Sequence, residues 1–277
     1  MRARVVRAPG KLFVLGEYAV LDGAPAIVAA VDRGVACAVS EGDCIETPGD
    51  DTFVRAALGA IDAPRASYRF SDWNAPELPD KGGFGGSSAA VVAAAVAGGC
   101  TDVEQMVRIH RAVQGSGSGV DVRASATGGL RRYQGELIGE RLEEPELLAV
   151  WSGRSASTGP RVRRYQQWAT REAFVDASAA LVEGFAQAPI EALREAFRLL
   201  CEMGEMAGID YLTEGHRRIH ELAELHGGSA KPSGAGGGDV AVALLPSATR
   251  EAFAAACALE GLLPVPVRIV DGVSDDA

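Results

Sequence analysis

The stretch Lys81-Gly82-Gly83-Phe84-Gly85-Gly86-Ser87-Ser88 runs straight into Ala89-Ala90-Val91-Val92-Ala93-Ala94-Ala95-Val96-Ala97. Glycine has no Cβ, so a backbone this rich in it turns tightly and approaches a ligand closely. Serines that open a helix sit where unpaired N–H groups and the helix dipole favour phosphate. The loop lacks the Lys-Ser or Lys-Thr ending of a Walker loop and the Gly-x-Gly-x-x-Gly order of a dinucleotide site. Alone, it reads equally well as a glycine hinge. The Ala-rich run behind it is too short to span a bilayer and predicts a buried helix.

Two further segments lie downstream. Gln114-Gly115-Ser116-Gly117-Ser118-Gly119-Val120-Asp121 places one carboxylate after a glycine-serine turn. Such a carboxylate can take a proton from a hydroxyl or orient a neighbouring lysine, but as an isolated residue it is more often a turn or helix-cap residue. Lys231-Pro232-Ser233-Gly234-Ala235-Gly236-Gly237-Gly238-Asp239 precedes the apolar run 240–245, where so many glycines imply close backbone approach.

Outward from these segments, 4–6, 11–15, 26–31 and 35–39 read as short strands, and 43–80 as a hairpin-and-loop region. Helical spacing predicts helices over 102–113, 171–184, 190–206, 212–225 and 248–260, with strands at 147–152, 240–245 and 265–269. His216 and His220 stand one turn apart, but the surrounding pattern reads as an amphipathic helix rather than a metal site. The acidic end, Val273-Ser274-Asp275-Asp276-Ala277, reads as disordered.

The 277 residues are 47% hydrophobic and 23% charged, which is ordinary globular composition, with a net charge of -10 that argues against nucleic acid. The 5 cysteines are scattered without a Cys-x-x-Cys pair, and the start lacks an apolar signal core. A cytoplasmic location with no membrane partner is expected. The chain has only three lysines, Lys11, Lys81 and Lys231, and each lies in or beside a ligand motif.

Preceded by Ala8-Pro9-Gly10-Lys11 and Gly16-Glu17-Tyr18-Ala19-Val20-Leu21-Asp22-Gly23, the three segments in this order resemble the GHMP superfamily of small-molecule kinases. That family includes galactokinase, homoserine kinase, mevalonate kinase and phosphomevalonate kinase. The likeness extends from residue 5 to about residue 270. It implies an α+β, two-lobed GHMP kinase fold, with a ribosomal-protein-S5-like N-terminal lobe over 1–140 and a ferredoxin-like C-terminal lobe over 141–277. It also implies ATP and Mg2+ as cofactors, and a monomer or homodimer.

Within the family, several details resemble phosphomevalonate kinases. Tyr18 stands where mevalonate kinases tend to carry His, and Asp239 follows the glycine run. Trp151-Ser152-Gly153-Arg154-Ser155-Ala156-Ser157-Thr158 is similar to a Trp-Thr-Gly…Ala-Ser-Thr stretch. A magnesium-binding Glu of mevalonate kinases would fall near His110. The resemblance therefore implies ATP-dependent transfer to 5-phosphomevalonate, a small phosphorylated substrate, with mevalonate or another small alcohol as the alternative acceptor. A decarboxylase on the same fold fits the Gly16-Glu17-Tyr18 segment poorly, and retention of Lys11, Lys81 and Asp121 argues against a catalytically dead ligand sensor.

By the same resemblance Lys11, Lys81 and Asp121 are catalytic, and Gly83, Gly85, Gly86, Ser87 and Ser88 hold ATP. Here the loop reads Gly83-Phe84-Gly85-Gly86-Ser87-Ser88-Ala89-Ala90 where the family has Gly-Leu-Gly-Ser-Ser-Ala-Ala. Either Ser87 or Ser88 would then face the metal. Glu17, Tyr18, Ser116, Ser118, Arg154, Ser157, Lys231 and Ser233 are implied at the substrate.

Overall fold

A computed structural model describes residues 4–73 and 82–276. In chain order the elements are β1 (Arg4–Leu15), β2 (Ala26–Ser40), β3 (Cys44–Glu46), α1 (Thr52–Ala60) and β4 (Ser67–Trp73). There follow α2 (Gly86–Ala97), α3 (Val103–Gln114), α4 (Val120–Thr127), β5 (Leu130–Gln134), β6 (Leu137–Arg141) and β7 (Leu147–Trp151). The remainder comprises α5 (Thr158–Gln167), α6 (Glu172–Gly184), α7 (Pro189–Ala207), α8 (Glu214–Leu225), β8 (Ser229–Pro232), β9 (Val240–Leu244), α9 (Arg250–Leu259), β10 (Leu263–Val265) and β11 (Ser274–Asp276).

β1 and β2 are each continuous where the sequence predicts two short strands. They pair antiparallel, and a bulge between Pro9 and Gly10 absorbs the residues that would otherwise break them. The two chains nearly touch there. A Cβ on Gly10 would lie 1.9 Å from the Arg33 carbonyl oxygen, and one on Gly34 2.1 Å from that of Ala8. This pair centres a seven-stranded sheet ordered β11-β1-β2-β4-β3, with β5 on β2 and β6 on β5. A second, four-stranded sheet runs β10-β7-β9-β8, all antiparallel.

α2 is buried around most of its circumference, and its alanines let it lie close against β1 and β2. α1 and α3 complete that layer through Val54, Ala57, Leu58, Met106, Val107 and Ile109. On the opposite face of β1 and β2, Leu12, Val14, Ile27 and Val31 share a core with Val240 and Val242 of β9 and Leu193 of α7. Asp102 caps α3 by accepting from the N–H groups of Glu104 and Gln105 at 2.9 and 3.1 Å.

Several expectations are corrected. The 43–80 region holds α1, β3 and β4, whose shortness and flanking turn residues hid them. The strand expected over 265–269 covers Leu263–Val265 only, ending at Pro266, which cannot donate to a ladder. Ile269 instead makes an isolated bridge to Val31. The acidic end is ordered as β11 on β1, where Arg4 binds Asp275 at 2.8 and 2.6 Å and Arg7 pairs with Asp276. Among the described residues, no helix is long and apolar enough to cross a membrane.

His216 and His220 serve packing. His216 closes a capping box with Thr213 at the start of α8, and His220 Nδ1 contacts the Ala230 carbonyl at 2.8 Å. Burial pushes the His216 pKa down to about 4, partly opposed by the backbone of Asp239. A neutral buried imidazole stabilises the fold fully above its unfolded pKa, about 6.5, and loses that contribution as pH falls toward 4. We expect His216 to remove about 3 kcal/mol of stability between pH 7 and 4. Denaturant titrations of His216→Gln should show a correspondingly flatter acid limb than the parent protein.

Candidate active site

Lys11 lies within β1 and donates its backbone N–H to the Phe84 carbonyl at 2.7 Å, which fastens the glycine loop to the central strand. Its side chain is 8% exposed, with Nζ 4.0 Å from Asp121 Oδ2 and 5.3 Å above the Phe13 ring. Gly85, in the left-handed region with φ 75°, covers the lysine stem. A Cβ there would lie 2.9 Å from Lys11 Cγ and 3.1 Å from Ser88 Oγ, so glycine is required on both conformational and steric grounds.

α2 starts at Gly86, and Ala89 makes its first helical hydrogen bond, to Gly85 at 3.1 Å. The N–H groups of Gly86, Ser87 and Ser88 therefore point out of the helix mouth, as an anion site needs. The two serines differ. Ser88 is 1% exposed and donates its hydroxyl to the Gly85 carbonyl at 2.7 Å, whereas Ser87 Oγ lies 3.2 Å from His110 Nε2. Burial pushes the His110 pKa below its usual range, with Asp121 opposing that shift.

Asp121 stands in the first turn of α4, behind Gly119 at φ 78°. The turn before it is braced by residues that sequence reasoning did not single out. Arg123, 1% exposed, holds Glu104 by two bonds of 2.8 and 2.7 Å and reaches the Ser118 carbonyl at 3.2 Å. Arg111 donates to the carbonyls of Gly117 and Ser118 at 2.9 and 2.6 Å. With the turn fixed, Asp121 Oδ2 faces Lys11, while Oδ1 is buried with no hydrogen-bond partner. Such an orphaned oxygen is what a hard cation takes as ligand, and Ser87 Oγ at the mouth of α2 would be the candidate for a second oxygen. These donors suit magnesium, which binds through one or two carboxylates together with nucleotide phosphates. Among the described residues no group of three or more His, Cys, Asp or Glu could hold a metal.

The loop after β8 joins the site from the second sheet. Lys231, 1% exposed, forms an ion pair with Glu17, 3% exposed, and donates to the Pro232 carbonyl at 3.1 Å. Burial pushes the Lys231 pKa down, Glu17 opposes this, and nearby Lys11 adds to it. Ser233 Oγ accepts from the Phe13 N–H at 2.8 Å, and Tyr18, at φ 62°, donates its hydroxyl to the Ala235 carbonyl at 2.6 Å. A Cβ on Gly83 would lie 2.3 Å from Asp239 Cβ, so the glycine loop also touches the end of this segment.

Arg154 and Arg161 flank Gly237. Arg154 Nε donates to the Gly237 carbonyl at 3.1 Å, and a Cβ on Gly237 would lie 1.7 Å from Arg161 Nη2. Arg161 is further held by the carbonyls of Ser157 and Asp210 at 2.9 and 3.3 Å. It sits on α5, a polar helix with only Tyr165 buried, so no apolar period announced it. Ser157 precedes α5 without capping it through its side chain. Ser118 Oγ accepts from the Val120 N–H at 3.3 Å, and the Ser116 carbonyl from Gln114 Nε2 at 3.2 Å, so both are bound within their own turn. Lys81 lies outside the described residues.

No family model matches the chain. A phosphomevalonate kinase from Streptomyces sp. is 29% identical over 362 aligned positions, covering 96% of this chain and 97% of that protein. A mevalonate kinase from Archaeoglobus fulgidus is 30% identical, covering 84% of this chain and 89% of that protein. The crystal structure of Streptococcus pneumoniae phosphomevalonate kinase with phosphomevalonate and AMPPNP superimposes with a TM-score of 0.81 at 20% identity, covering 96% of this chain and 99% of that one. The chain belongs to the GHMP kinase family and has its α+β fold.

Gly86 is open to solvent, and among the described residues no atom beyond its chain neighbours and its own helix backbone lies within 4 Å of where its Cβ would be. Gly86→Val should therefore leave the melting temperature unchanged and lower nucleotide affinity by about tenfold or more, since only a ligand's phosphates could meet the new side chain. Calorimetric titration of ADP into the variant checks this, and unchanged affinity would place the phosphates elsewhere.

Proposed function

We propose that this kinase transfers the γ-phosphoryl group of ATP to 5-phosphomevalonate. The observation that carries the reading is the set of cations along the glycine loop of the second sheet, where Asp210 at 3.7 Å balances only Arg154, and that in part. Lys11 Nζ lies 3.7 Å from where a Cβ on Gly234 would be, and Arg154 and Arg161 bracket Gly237. Transfer to a phosphate brings two anionic groups together, so the site needs more positive charge than an alcohol kinase requires. The full-length relationship to the Streptomyces phosphomevalonate kinase supports the same acceptor.

In this reading an oxygen of the acceptor phosphate attacks the γ-phosphorus, and the bond from that phosphorus to the β,γ-bridging oxygen breaks, leaving ADP. Catalysis is positioning and charge neutralisation. The N–H groups of Gly86, Ser87 and Ser88 receive the nucleotide phosphates, and Lys11 lies between donor and acceptor. Magnesium held by Ser87 and Asp121 would neutralise charge on the β- and γ-phosphates. A phosphate monoester is largely ionised near neutral pH, so no strong base is needed, and Asp121 acts mainly by holding the Lys11 ammonium in place. With a free alcohol, Asp121 would instead have to receive the hydroxyl proton.

A coupled ADP-release assay tests the acceptor. Turnover should be robust with 5-phosphomevalonate and much weaker with mevalonate; the reverse result would assign the chain to alcohol phosphorylation. Lys11→Met and Asp121→Asn should each lower kcat by about 100-fold or more, with little change in ATP affinity for Lys11→Met and a loss of the magnesium-dependent part of that affinity for Asp121→Asn.

Arg161 should act in acceptor binding rather than in chemistry. We expect Arg161→Gln to raise the KM of the acceptor by about tenfold or more while kcat and the KM of ATP hold. A fall in kcat at constant KM would place Arg161 at the transferring group instead.

A further inference from the structure

His110 is the polar member of an otherwise apolar helix face. Met106, Val107 and Ile109 of α3 enter the core between α1 and α2, and His110, 4% exposed, lies beside them. Its ring stacks on Phe53 of α1, with centroids 5.3 Å apart and planes inclined by 27°. That stack fixes the imidazole plane, and with it the direction of Nε2, which ends 3.2 Å from Ser87 Oγ at the mouth of α2. The neighbouring hydroxyl of Ser88 is already committed to the Gly85 carbonyl. Ser87 thus carries the hydroxyl at this helix mouth whose orientation is set by a side chain.

A serine hydroxyl has one proton and two lone pairs. With nothing to accept the proton, the O–H rotates freely and spends part of its time aimed outward, where it would oppose a cation. An imidazole nitrogen that accepts the proton leaves the lone pairs facing the nucleotide side. We propose that His110 is a positioning residue for the metal-nucleotide complex, accepting the Ser87 proton at Nε2 so that the hydroxyl oxygen is presented to magnesium. This rests on the reading of Ser87 as the metal-facing serine. It fixes the His110 tautomer with its proton on Nδ1. Groups that orient a ligand oxygen in this way commonly change metal affinity by about 10- to 100-fold when removed.

The test measures binding without turnover. The dissociation constant of ADP is determined by calorimetry with Mg2+ and again with EDTA, and the ratio isolates the metal's contribution. His110→Phe keeps a flat ring against Phe53 but offers no acceptor, and should reduce that ratio by about tenfold while leaving the EDTA value within about twofold. His110→Gln, whose amide oxygen accepts a hydrogen bond, should recover most of the loss. Ser87→Ala should show the same reduction as His110→Phe, and the double variant no more than either alone. A wild-type ratio in His110→Phe, equal losses with and without Mg2+, or additive effects in the double variant would each overturn the proposal. A wild-type protein whose ADP affinity ignores Mg2+ would overturn it as well. The acceptor takes no part in this measurement, so a wrong acceptor assignment would show in turnover assays and leave the binding cycle standing.

Discussion

Glu17 and Lys231 meet where the chain leaving β1 comes against β8, almost wholly out of water. Taking two charges out of water carries a large desolvation cost, and removing one partner of such a pair costs about 3–5 kcal/mol because the other is left buried and uncompensated. The two segments are therefore bound to keep one register. Phe13 N–H meets Ser233, the Tyr18 hydroxyl meets Ala235, and Glu17 also accepts from the Gly234 N–H at 3.4 Å. Three consecutive residues of the loop after β8 are thereby tied to the end of β1 or the turn beyond it. The site is built across two sheets, yet its halves are held as one hydrogen-bonded unit.

The other side of the site depends on close approach rather than charge. Gly10, Gly34 and Gly85 each occupy a place where a Cβ would overlap a neighbour, and together they let β1, β2 and the glycine loop crowd around Lys11. The Lys11 backbone is fastened to Phe84, and its side chain is enclosed by Gly85 and faced by Asp121. A short, buried, alanine-rich α2 is the natural partner of such crowding, because larger side chains would lift the helix mouth away from the strand. Asp121 is fixed less directly, through the Arg111 and Arg123 contacts to the turn before it.

The parts of this arrangement that were legible in the sequence are those whose chemistry is local. Glycine density at 82–86 and 234–238, Asp121 behind its turn and the confinement of lysine to motifs are visible without knowledge of the fold, but each alone reads as well as a hinge, loop or cap, and only their order carries the family resemblance. Long apolar periods likewise announce α7 and α8. The unreadable parts depend on partners distant in sequence. Nothing near Asp275 shows that Arg4 will neutralise it, nothing in polar α5 shows that Arg161 will lie on Gly237, and nothing near Arg123 shows that Glu104 will receive it. α1 is concealed by its length, nine residues among turn formers, although Val54, Ala57 and Leu58 give it a buried face.

The scarcity of primary amines has a practical side. Of the three lysines in the protein, Lys11 and Lys231 are 7% and 1% exposed and Lys81 lies outside the described residues; every other Lys or Arg position is arginine. Reagents that acylate amines, which on most acidic proteins decorate many surface positions at once, find few targets here. A lysine-directed label has three side chains to find, and a peptide map separates modification of Lys11 from that of Lys81 and Lys231. The rate at which the label reaches Lys11 would report how often the glycine loop lifts from β1, and its slowing by a bound nucleotide would read occupancy without any change to the sequence.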